Sequence, residues 1–125
     1  MPGLLISVTT LPAGDGACSV IRLAGEADLS SAELRDALAA ELAGRPRLLL
    51  VDMSRLTFID SGAMQMIVAA HRVASRGSGA LALLCPAEPV VRVLSLMGVD
   101  QVISVYGSVD EAIAAAERCE ERESG

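Results

Sequence analysis

Leu4, Ile6 and Val8 alternate with polar or small neighbours, a Gly- and Pro-containing stretch follows, and Cys18 to Leu23 resumes an apolar run. Period-two patterning on both sides of a turn-rich segment predicts an antiparallel hairpin. Beyond it the period changes. Leu34, Leu38 and Leu42 recur every four residues, and Ser30 with Glu33 three positions on has the form of a capping box. These predict a helix from about residue 31 to 43, stopped by Gly44 and Pro46. Leu48 to Met53 is apolar except for Asp52, the pattern of a strand buried on both faces, and it predicts the central strand of a sheet.

A second helix, from Asp60 or Ser61 to about Ser75, places Ala63, Ile67, Ala70 and Ala74 on one face and Gln65, Arg72 and Arg76 on another. Ala80 to Leu84 reads as another buried strand. Pro86 to Met97 reads as a helix that aligns Val90, Val93, Leu94 and Met97, with Gly98 as its stop, and Val102 to Val105 as a last short strand. Ser108 and Glu111 cap a fourth helix whose Val109, Ala112, Ile113 and Ala116 face inward. Strands alternating with helices require right-handed crossovers. The expected fold is therefore a single α/β domain with a mixed, mostly parallel β-sheet, an N-terminal antiparallel hairpin and about four packed helices. The domain is expected over residues 3–117, with residues 118–125 a charged, frayed C-terminal tail.

Composition narrows the function. The chain has 125 residues, 52% of them hydrophobic, enough for one core without disulfides or metal. A net charge of -6 argues against nucleic acid and anionic membrane as main partners, since both are bound chiefly through clustered cations. Phe58 and Tyr106 are the whole aromatic content, so platforms for stacking bases or flavins are missing. Residues 1–25 lack a basic start and a continuous apolar run, and the expected compartment is the cytoplasm. Cys18, Cys85 and Cys119 form no CxxC pair and read as reduced thiols.

Candidate chemistry is sparse. His71 has no second His or Cys at i+3 or i+4, so no metal shell is expected, and it reads as a helix-surface or boundary residue. A phosphate-binding GxxxxGK[ST] loop is absent. Ser61 and His71, ten residues apart on one helix, would lie about 15 Å apart along its axis and cannot share a proton. What remains is Asp60-Ser61 at a helix start. Asp and Ser are both favoured caps, because their oxygens accept hydrogen bonds from the free N–H groups of the first turn. The same geometry would also receive a phosphate on Ser61, since the helix dipole is positive there.

The run Leu50-Val51-Asp52-Met53-Ser54-Arg55-Leu56-Thr57-Phe58-Ile59-Asp60-Ser61-Gly62-Ala63-Met64 resembles the signature of STAS domains, especially of bacterial anti-anti-sigma factors. Gly25-Glu26-Ala27-Asp28 resembles the loop after that family's second strand, and order and spacing agree over roughly residues 3 to 117. The resemblance implies a non-enzymatic anti-sigma factor antagonist, with neither cofactor nor metal. It would bind an anti-sigma factor serine kinase to release a sigma factor, be switched off by phosphorylation of Ser61, and be restored by a serine phosphatase. The implied partner-binding residues are Glu26, Asp28, Asp60, Ser61, Gly62, Met64 and Gln65. Two other roles fit the same family: a soluble subunit docking on an ABC transporter ATPase, and a sensor module in a larger signalling assembly. Position 62 departs from the pattern. The family's second hydroxyl is replaced by Gly62, implying a looser helix start or a close approach of a partner's backbone.

Overall fold

Ten residues of β1 (Leu4–Ala13) pair antiparallel with β2 (Gly16–Ala27), Leu4 opposite Gly25 and Ala13 opposite Gly16, in a computed structural model that describes residues 3–13 and 16–124. The chain continues through α1 (Ala32–Ala43), β3 (Leu48–Ile59), α2 (Ser61–Arg76), β4 (Ala80–Leu84) and α3 (Glu88–Met97). A 3₁₀ turn at Val99–Gln101, β5 (Val105–Tyr106) and α4 (Val109–Ser124) complete it. Strand order in the sheet is β1-β2-β3-β4-β5, with every pair after the hairpin parallel. The expected fold class is the observed one.

Alternation along β3 sets the layers. Leu49, Val51 and Met53 join Leu34 and Leu38 of α1, Ala63, Met64, Ile67 and Ala70 of α2, and Val90 and Leu94 of α3 in one core. Leu48 and Leu50 point the other way, into a smaller core with Cys18, Val20, Ala82, Leu84 and Ala112, against which Val109, Ile113 and Ala116 of α4 pack. Side chains two apart on a strand share a face, so one apolar run serves both layers. Three helices cover one face and α4 the other. Among the described residues no helix is long and apolar enough to cross a membrane.

Several boundaries differ from expectation for identifiable reasons. β3 runs to Ile59 rather than stopping at Met53, because residues 55–59 keep pairing with the end of β2, twice slipping register on the way. The Ser30/Glu33 capping box is not made: the Ser30 hydroxyl donates to Asp28 Oδ1 (2.6 Å) and α1 begins after Ser31. The second forms its cap bond, with the return bond shifted one residue earlier. The Glu111 N–H donates to Ser108 Oγ (3.1 Å) while Glu111 Oε2 accepts from the Gly107 N–H (2.8 Å). α3 starts at Glu88, past Pro86, and the last strand shrinks to Val105–Tyr106 because the 3₁₀ turn precedes it and Ile103 turns into the core. Gly98 ends α3 as expected, in the left-handed region (φ 70°). α4 is assigned as far as Ser124.

Candidate functional site

Three elements converge on Ser61: the end of β3, the start of α2, and the loop from β2 to α1. Asp60 joins them. It takes an extended conformation (φ -97°, ψ 174°) as the N-cap of α2, and its Oδ1 accepts the Ala63 N–H at 2.8 Å. Its Oδ2 accepts the N–H of Leu29 (3.1 Å), and its own N–H donates to the Ala27 carbonyl (3.1 Å). One carboxylate thus fixes the helix start and ties the loop to it.

The loop has its own order. Asp28 Oδ1 accepts from the Ser30 hydroxyl (2.6 Å) and the Ser30 N–H (2.9 Å), while the Asp28 N–H donates to Ser31 Oγ (3.0 Å). The Ser30 hydroxyl, then the Ser30 N–H, hold the Asp28 carboxyl below its ordinary range, because both donate to the charged form. Gly25 sets where the loop begins. Its φ is 102°, and a Cβ there would collide with the Gly3 carbonyl, which accepts the Glu26 N–H at 3.0 Å. This gives the Gly of the Gly25-Glu26-Ala27-Asp28 run a structural origin.

Ser61 is the first residue of α2 and is exposed. Asp60 takes the N–H of Ala63, and helix geometry leaves those of Ser61 and Gly62 without an intrahelical acceptor. Gln65, one turn on, is exposed, and Glu26, Asp28, Asp60 and Gly62 are half-buried. Glu26, Asp28 and Glu33 line a groove of about 330 Å³ with Ser30, Ser31 and Phe58. The charged residues lining this groove are all acidic.

Met64 does not belong to it. It is 0% exposed and packs in the main core, because three residues after Ser61 the helix has turned that position toward the sheet. Gly62 is also explained differently. Its close neighbour is this chain's own Leu29, whose Cβ would stand 2.6 Å from a Cβ at position 62, and the helix start is capped rather than loose. Among the exposed apolar residues, Leu29 (69%) lies beside Gly62 and Phe58 (47%) lines the groove, and the sequence pattern assigned neither to the site. Leu29 had a signal: it is the one large apolar residue between Asp28 and Ser31 in a polar loop.

Outside this face, Nδ1 of His71 is buried without a hydrogen-bond partner among the described residues. Burial pushes the Cys18 thiol up. Cys85 is exposed and its Sγ donates to the Gly107 carbonyl (2.7 Å). The side chain of Cys119 lies outside the described residues.

The profile of a family described as Mlab, STAS domain matches residues 11–106. A Thermotoga maritima protein named as an anti-sigma factor antagonist is 35% identical over 66 residues, 53% of this chain and 58% of that protein. The chain thus spans less than two thirds of that relative's length. An anti-sigma factor antagonist from Mycobacterium paratuberculosis is similar in structure with a TM-score of 0.73 at 27% identity, over 89% of this chain and 95% of its own. Bacillus SpoIIAA in its unphosphorylated form has a TM-score of 0.72 at 20% identity, over 90% and 96%, and at that identity the likeness is one of fold.

Proposed function

The chain belongs to the STAS domain family, and from that premise we propose that it is an anti-sigma factor antagonist that works by binding and not by catalysis. It docks on an anti-sigma factor kinase through the face around Ser61, in the cytoplasm, and thereby releases a sigma factor. Phosphorylation of Ser61 ends the complex and a serine phosphatase restores it. The observation that carries this reading is the placement of Ser61: exposed, first in α2, and directly after Asp60, whose carboxylate holds the loop that follows Asp28. Glu26, Asp28, Asp60, Gly62 and Gln65 form the docking face with it, and Met64 supports it from beneath.

The switch follows from charge. A phosphoserine adds about -1.5 to -2 charges, which the N–H groups of Ser61 and Gly62, left over by the Asp60 cap, accommodate in the isolated protein. In a complex the same group meets whatever acid the partner holds nearby. At about 6 Å and an effective dielectric of about 20, each added charge costs on the order of 3 kcal/mol, roughly a hundredfold in affinity. In open water the cost falls below about 1 kcal/mol, so the serine must lie within the contact.

The test is to incubate the protein with each anti-sigma kinase of its organism and ATP, then map phosphate by mass spectrometry. Phosphate on Ser61, binding by Ser61→Ala that ATP no longer reverses, and weaker binding by Ser61→Asp are expected. Absence of both binding and modification refutes the reading. Stable retention of an ABC transporter ATPase with Ser61 unmodified would assign the transporter role instead.

A further inference from the structure

Leu29 projects from the β2–α1 loop with its side chain against Gly62, the residue after Ser61. A Cβ at position 62 would stand 2.6 Å from the Leu29 Cβ and 2.8 Å from its Cδ1, so only glycine fits unless Leu29 moves. The base of Leu29 is held. Its N–H donates to Asp60 Oδ2 (3.1 Å), and the residues flanking it are bound to each other, the Ser30 N–H to Asp28 Oδ1 at 2.9 Å. Displacing Leu29 therefore disturbs a hydrogen-bonded loop and is not a matter of one rotamer.

An exposed leucine by itself needs no explanation. This one is set apart by what surrounds it. With 69% of its surface exposed, it adds little to the core, and glycine in a helical turn is less stabilising than alanine. The chain accepts a weaker helix start and receives in return an apolar knob of fixed position beside the serine. An anchor ordered before binding loses less entropy when it docks, which is the property of residues that dominate interfaces.

We propose that Leu29, seated on Gly62, is the specificity-determining anchor of the docking face, and that it enters an apolar socket on the anti-sigma kinase whose rim is basic where it meets the Glu26, Asp28 and Glu33 groove and acidic on the side that meets Ser61. The inference rests on the reading of the Ser61 face as the docking surface. The basic part of the rim follows from complementarity: Glu26, Asp28 and Glu33 line the adjoining groove, with no Arg among its lining residues. A hydroxyl residue at position 62 would push the knob aside and present a different surface. Leu29 and Gly62 thus act as one unit that selects among partners sharing the serine switch.

The probes are the organism's anti-sigma kinases, purified singly, with affinities measured by calorimetry for the wild-type chain, Leu29→Ala, Leu29→Met and Gly62→Ser. Leu29→Ala and Gly62→Ser should each weaken binding by about tenfold or more, and Leu29→Met should retain most of it. Leu29→Ala keeps the backbone N–H and should remain folded by circular dichroism. Binding of Leu29→Ala and Gly62→Ser within about twofold of wild type would overturn the anchor while leaving the functional reading intact. Failure of every kinase to bind the wild-type chain would overturn both.

Discussion

Both oxygens of the Asp60 carboxylate are occupied, one by the helix and one by the loop, so the side chain cannot be reduced to a cap. Asp60→Ala should lower stability by about 1–2 kcal/mol in urea denaturation, the range for a lost N-cap, and should also free Leu29. Asp60→Asn retains one acceptor and should fall between the two; equal losses for Ala and Asn would show that the charge, not the geometry, is what stabilises. Asp28 carries a pH dependence of definite sign. Its folded carboxyl titrates below its unfolded value, so its contribution to loop order is full above the unfolded value and is lost as pH falls through the folded one. The Ser30 amide resonance should follow that titration, with a midpoint below the ordinary aspartate range, and the step should vanish in Asp28→Asn. A midpoint at or above that range would contradict the hydrogen bonds from Ser30. At this scale the sequence was partly legible. Asp60 and Ser61 announced a helix start, but the partner of Gly62 lies 33 positions away on a loop, a proximity that no local pattern encodes.

At the scale of elements, α2 shows how one residue step separates core from surface. Met64 is buried and Gln65 exposed, because successive helical positions differ by 100° in direction. Met64→Ala should cost about 2–5 kcal/mol through the cavity it leaves, while Gln65→Ala should stay within about 0.5 kcal/mol in the same assay. Comparable losses would place both on one face and contradict the packing. The element order could be read from the sequence because helices and buried strands differ in period, and because Gly44, Pro46 and Gly98 punctuate them. Element lengths were less legible. The outer half of β3 is covered on one face only, with Leu56 and Ile59 buried and Ser54, Arg55, Thr57 and Phe58 exposed. The two bulges break strict alternation there, so the segment reads as a loop until its partner strand is known.

At the scale of the molecule, the sheet divides stability from recognition. Leu50 is fully buried in the core beneath α4, whereas Met64 lies in the core beneath the Ser61 face. Leu50→Ala and Met64→Ala remove comparable apolar surface and should each cost about 2–5 kcal/mol, but the cavities open on opposite sides of β3. Only the second can relax into the start of α2, where Asp60, Ser61 and Gly62 must hold position for docking. Partner affinity measured well below both unfolding midpoints should therefore be unchanged in Leu50→Ala and reduced severalfold in Met64→Ala. If the Leu50 cavity weakens docking as much as the Met64 cavity, the two layers are mechanically coupled and the site draws its shape from the whole sheet. If neither does, Asp60 alone suffices to hold the face, which its paired hydrogen bonds make the next contact to remove.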